Sequence, residues 1–219
     1  MNSDNTKHLV HQPLLLIVLW LIVTLFMLGQ ATSCHAKTPT PEQLTRLAQF
    51  EHLVDYFCSF EFFRPDHTVN PDFINALILA ESAGNPKALS HKKAKGLTQI
   101  LYSTGKEAAD CLANSGIDFQ YVDELQLANL ESHHLNDPAI NILLACYLVS
   151  KYNYGYGGRL ELVVTAWNAG ESTIKNGQPP NFKETKGLIY KINSYLLFFQ
   201  QQKEAKARPE HPLQVHNTG

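Results

Sequence analysis

Apolar residues recur at Leu44, Leu47, Leu53, Val54 and Phe57 with helical spacing, and Thr40, Pro41 and Gln43 before them form a capping box. A helix is expected to open there. A second start follows at Asn70, Pro71 and Asp72, which supply a cap, a proline at the first position and an acid in the first turn. Its apolar residues Phe73, Leu77, Ile78 and Ala80 lead to Glu81, and Gly84, Asn85 and Pro86 close it. A third start, Asp137 and Pro138, opens a run through "INILLACYLVSKY" that is apolar almost all round and is therefore expected to be the central buried helix. The segment "YGYGG" at 154 to 158 turns the chain; residues 159 to 167 read as a shorter helix, and Thr185 to about Gln202 as the last. Strand periodicity is scarce, so the fold class is mainly α. From Lys203 onward, "KEAKARPEHPLQVHNTG" has charge and proline without an apolar period and is expected to be disordered.

The chain has 219 residues, of which 44% are hydrophobic and 17% charged, enough for one sizeable core and one domain. A net charge of -2 gives no overall attraction to nucleic acid, which is not expected as a partner. The charge is uneven: Lys87, Lys92, Lys93, Lys95 and Lys106 precede a block of acids from Glu107 to Asp137. Two solvated surfaces are the ordinary reading of such a pattern; a basic rim facing an anionic polymer is the sharper one.

Residues 14 to 28, "LLLIVLWLIVTLFML", follow Lys7 and precede "GQATSCHAKTPTP". They read as an export signal or a single membrane anchor over residues 1 to 36, so the chain is expected to be exported to the periplasm or cell envelope. Cleavage after Ala31 or retention as an anchor is favoured over lipidation at Cys34, whose preceding "ATS" matches an acylation site poorly. Cys58, Cys111 and Cys146 lack metal spacing, and one disulfide among them suits an exported protein; sequence does not choose the pair. His133 and His134 point about 100° apart on a helix and form no expected metal site, and no cofactor is implied.

Glu81 ends an apolar helix and is the only acid between Asp72 and Glu107. At the edge of a core, desolvation favours its protonated form, which can then donate a proton near neutral pH. A carboxylate fraying into solvent is the plain alternative.

The stretch "ESAGNPKALSHKKAKGLTQI" resembles the first signature of soluble lytic transglycosylases. The resemblance continues in order: "DPAINILLACYL" is similar to the family's central helix, "AWNAGESTIKNGQ" to its Tyr, Asn, Ala, Gly motif, and "PPNFKETKGLIYKI" to its closing segment. It spans about residues 47 to 198. The resemblance implies a single lysozyme-like helical domain over residues 37 to 200, with a tail from 201 to 219. It implies Glu81 as the catalytic acid, Ser82 as an orienting hydroxyl, and Ser90, Gln99, Trp167, Asn168 and Glu184 as residues of a groove for peptidoglycan glycan strands. Such enzymes are thought to use one carboxyl group. It protonates the glycosidic oxygen and then deprotonates the muramic C6 hydroxyl, which closes a 1,6-anhydro ring; ordinary glycosidases need a second carboxylate. Small members accompany secretion or conjugation machines that must cross the wall, which implies an envelope apparatus as a partner.

The pattern is not followed everywhere. Lys93 stands where a glycine is usual, Thr98 replaces a methionine, Leu101 and Tyr102 replace Met and Pro, and Trp167 replaces a tyrosine. Leu188 occupies the place of a tyrosine expected beside the acid, and Tyr190 lies roughly 200° further round a helix. A wall-binding or assembly protein with the same fold and little catalysis therefore stays open beside the enzyme.

Overall fold

The computed structural model describes residues 37–207. The apolar leader and the end of the tail lie outside the described residues. Within them the chain is helical: α1 (Pro41–Ala48), α2 (Glu51–Cys58), α3 (Pro71–Ser82), α4 (Tyr102–Ala113), α5 (Glu124–Ala128), α6 (Pro138–Tyr156), α7 (Leu160–Ala169) and α8 (Lys183–Ala207), with short 3-10 turns at Ser132–Asn136 and Glu171–Thr173. Among the described residues only isolated β-bridges occur, and no helix is long and apolar enough to cross a membrane.

The helix starts follow the local chemistry. Thr40 Oγ1 accepts from the Gln43 amide and the Gln43 side chain accepts from the Thr40 amide, closing the capping box. Asn70 Oδ1 accepts from the Asp72 amide, and Asp137 Oδ1 accepts from the amides of Ala139 and Ile140. Helix α6 is buried along most of its length, from Ala139 to Tyr152, and forms the axis of the core. Helix α8 packs along α3 and closes the core with Leu188, Ile192 and Tyr195.

Four features depart from the sequence expectation. The first helix is two helices, broken at Gln49 and Phe50, with Phe50 turned into the core at the break. Helix α4 was not signalled, since its buried side is thin: Gly105, Ala108, Ala109 and Leu112. Helix α8 runs on to Ala207, where Lys203 Nζ meets Asp72 Oδ2 at 2.6 Å, so the start of the expected disordered tail is helical. The three described cysteines are thiols. Cys58 and Cys146 Sγ are buried 3.7 Å apart, longer than the roughly 2.05 Å of a disulfide, and Cys111 is exposed.

Helix α3 ends at Ala83, which takes the left-handed conformation at φ 54°, followed by Gly84 at φ 79°. Arg46 of α1 reaches over this end and donates from Nε to the Ala83 carbonyl at 2.9 Å. The end of α3 is thus held from outside its own helix.

Candidate active site

A cavity of about 140 Å³ opens between the end of α3, the loop from 83 to 101, α6, α7 and the start of α8. Glu81, Ser90, Gln99, Trp167, Asn168 and Glu184 all line it, drawn from four separate parts of the chain. Ser82 does not. Its hydroxyl donates to the Ile78 carbonyl at 3.2 Å, one turn back along its own helix, so it does not orient Glu81 from the cavity side.

The loop wall is built around a buried amide. Asn141 of α6, completely buried, accepts at Oδ1 from the Thr98 amide and from the Thr98 hydroxyl, and donates from Nδ2 to the carbonyls of Lys95 and Leu135. Gly96 lies against it at φ +82°, where an added Cβ would stand 2.1 Å from the Leu135 carbonyl oxygen and 2.3 Å from Asn141 Nδ2, so only glycine fits. Antiparallel bridges Leu89 to Lys95 and Lys95 to Ile100 complete the loop. Thr98, where a methionine is expected, is therefore a buried hydrogen-bonding partner of the central helix. Lys93, where a glycine is usual, takes φ +68°, the left-handed region that a glycine enters without strain. Tyr102 starts α4 in place of the expected proline and its hydroxyl donates to the Leu130 carbonyl at 3.2 Å.

Several cavity residues are engaged in bracing it. Gln99, at φ +55°, donates from Nε2 to the carbonyls of Ala88 and Gly96. Ser90 Oγ accepts from the Ala94 amide at 3.0 Å. Asn168 Nδ2 donates to Thr185 Oγ1 at 2.8 Å, tying α7 to α8. Glu184 Oε2 meets Lys92 Nζ at 2.9 Å, an exposed ion pair between the last helix and the loop.

Glu81 is half-buried, and its partner across the cavity is the indole of Trp167, whose Nε1–H donates to Glu81 Oε1 at 3.1 Å. Burial raises its pKa from 4.5 to about 7; the indole N–H and the charge of Lys191 oppose the rise, and the charge of Glu184 adds to it. At neutral pH the group is poised between acid and base. A neighbouring cavity on the other side of Glu81 is lined by Leu188, Gly187 and Lys191. Leu188 brings no hydroxyl to the carboxyl group, and Tyr190 is exposed.

Sequence reasoning missed Tyr152, Leu148 and Thr104, which also line the cavity. Tyr152 and Leu148 sit one turn apart on α6, in a stretch whose unbroken apolar character gives no sign of which side faces the groove. Burial, with Glu171 nearby, pushes the Tyr152 phenol up to about 12, so it stays a neutral donor.

The family model described as "Transglycosylase SLT domain" matches residues 63–188. The curated protein named "Putative soluble lytic murein transglycosylase" from Haemophilus influenzae is 28% identical over an alignment of 152 residues that covers 62% of this chain and 23% of that protein. Among solved structures, an inactive mutant of lytic transglycosylase Slt from Pseudomonas aeruginosa superimposes with a TM-score of 0.50 at 20% identity, covering 88% of this chain and 30% of that one. The 70 kDa soluble lytic transglycosylase of Escherichia coli gives a TM-score of 0.52 at 17% identity, covering 91% of this chain and 38% of that one. The chain thus spans about a quarter of the length of the curated relative and about a third of these solved chains.

Proposed function

The chain belongs to the transglycosylase SLT domain family, and we propose that it cleaves the β-1,4 bond between N-acetylmuramic acid and N-acetylglucosamine in peptidoglycan without water. Glu81 as a neutral acid gives its proton to the glycosidic oxygen while the bond from that oxygen to muramic C1 breaks. The substrate's own acetamido group stabilises C1. The Glu81 carboxylate then takes the proton of the muramic C6 hydroxyl as that oxygen bonds to C1, which closes the 1,6-anhydro ring and returns the acid to its starting state. Ser90, Gln99, Asn168 and Glu184, with the Trp167 ring, line the path of the glycan strand.

The observation that carries this reading is a single poised carboxyl group. Glu81 has its pKa raised to about 7 and so can serve as acid and then as base. The only other carboxyl group lining the cavity among the described residues, Glu184, is engaged in an exposed ion pair with Lys92. A hydrolase built on two carboxylates is correspondingly disfavoured.

In this reading residues 1 to 36 are an export signal or anchor, residues 37 to 200 the transglycosylase domain, and the work is done in the cell envelope, where local openings in the wall would serve a secretion or conjugation apparatus. Mass spectrometry of the muropeptides that the protein releases from purified peptidoglycan tests the chemistry. Anhydromuramic ends are expected, and they are expected to vanish with Glu81→Gln. Reducing ends would identify a hydrolase, and tight binding to the wall without release would identify a wall-binding protein.

A further inference from the structure

We propose that Trp167 is a positioning residue for the acid: by occupying Glu81 Oε1 with a group that can only donate, the indole confines the transferable proton to Oε2. This rests on the reading of Glu81 as the acid. A neutral carboxyl group has one oxygen that accepts and one that carries hydrogen, and the indole N–H has no lone pair to receive a proton. The 3.1 Å contact from Trp167 Nε1 to Glu81 Oε1 therefore makes Oε1 the carbonyl oxygen of the acid. The hydroxyl lies on Oε2. A carboxyl group without such a partner would exchange the roles of its two oxygens, and half of its encounters with a glycosidic oxygen would find the wrong one.

The same bond acts again after the proton has left. An N–H held against a carboxylate is a stronger hydrogen bond than one held against a neutral acid, so the indole favours the ionised form and limits the rise that burial imposes. The other titratable or charged groups facing the two cavities beside Glu81 are Lys183, Glu184 and Lys191 of α8, Tyr152 of α6, and His91 and Lys92 of the loop. Of the side chains around Glu81, Trp167 is the one in direct hydrogen-bond contact with its carboxyl group among the contacts described. The next residue, Asn168, ties the end of α7 to α8 through Thr185.

The test is a ¹³C NMR titration of the full-length protein labelled at glutamate Cδ, with the Glu81 signal assigned by its loss in Glu81→Gln. Two replacements remove the donor and keep an aromatic ring: Trp167→Phe, and insertion of benzothienylalanine at 167, which has the shape of tryptophan and sulfur in place of N–H. The Glu81 midpoint is expected to move upward by about one pH unit in both, the scale of one charge-assisted hydrogen bond, and on peptidoglycan kcat is expected to fall several-fold with KM little changed. An unchanged midpoint in the benzothienylalanine protein would overturn the proposal, whatever happens to Trp167→Phe. Variants with a shifted midpoint beside a parent protein that releases no anhydromuramic ends would leave the contact of Trp167 with Glu81 standing and sink the transglycosylase reading instead.

Discussion

Thr98 gives Asn141 two hydrogen bonds at once, from its backbone amide at 2.9 Å and from its hydroxyl at 2.7 Å, and neither residue meets solvent. The pair joins the wall of the cavity to the central helix across 43 residues of sequence. A buried polar pair of this kind costs free energy when one partner is lost and the other is left without it.

Thr98→Val keeps the shape of the side chain and removes the hydroxyl. Asn141 Oδ1 keeps the amide of residue 98, so the expected loss of stability is about 1 to 2 kcal/mol, whereas Asn141→Leu takes this partner from the Thr98 amide and hydroxyl and the Leu135 carbonyl, the Lys95 carbonyl keeping the Ile100 amide, and costs about 3 kcal/mol or more. Urea unfolding of both variants gives the comparison. Equal losses would mean that packing and not hydrogen bonding dominates the site.

Glu81 is a cost to the fold at neutral pH. Its folded pKa of about 7 lies above the unfolded value of 4.5, so between these values the native state holds a proton that the unfolded state has released, and stability falls as pH rises through that window. Below it the carboxyl is neutral in both states and contributes no pH dependence. Glu81→Gln removes the titration, and should be more stable than the parent by about 1 to 3 kcal/mol at pH 8 with the difference fading toward pH 4. Denaturation across pH checks this; a constant difference would rule it out.

Lys93 holds a left-handed backbone at φ +68° with its amide donating to the Ser90 carbonyl at 3.0 Å. Glycine relieves the contact of Cβ with the backbone, at the expense of a freer unfolded chain. Lys93→Gly is expected to raise stability by about 0.5 kcal/mol, read as a shift of the urea midpoint at unchanged slope. Lys93→Ala, which keeps the Cβ, should not show the gain.

The cysteines should sort by exposure. Cys111 is open to solvent, while Cys58 and Cys146 are buried and burial pushes the Cys146 thiol up. Maleimide should modify Cys111 in the folded protein and reach Cys58 and Cys146 only after unfolding, without added reductant. Protection of both after unfolding would reveal a bond between them.

The helix starts were legible because a cap and its partner lie within three residues of each other, as at Thr40 and Gln43 or Asn70 and Asp72. Glu81 was legible for a different reason: it breaks an apolar run, and the surrounding signature resembles that of a known family. The contacts that organise the cavity were not. Trp167 and Glu81 are 86 residues apart and Thr98 and Asn141 are 43, so no local pattern announces them. Trp167 accordingly read as a groove residue in place of a tyrosine, with no sign that its N–H would touch Glu81. Ser82 misled in the opposite direction, since a hydroxyl beside an acid in sequence points away from it once a helix carbonyl four residues back offers a bond. The break at Phe50 and the length of α8 turn on burial and on a distant ion pair, both decided by the tertiary fold.

The bond from Arg46 to the Ala83 carbonyl has a practical consequence for where the chain may be cut. The family match begins at residue 63 and ends at 188, yet the guanidinium that fastens the Glu81-bearing end of α3 belongs to residue 46, and two of the innermost side chains, Ile192 and Tyr195, come after 188. A fragment trimmed to the matched residues would cut the closing segment short at Leu188 and lack both of these supports. The minimal stable fragment is therefore expected to run from the start of α1 into α8, beyond both bounds of the family match.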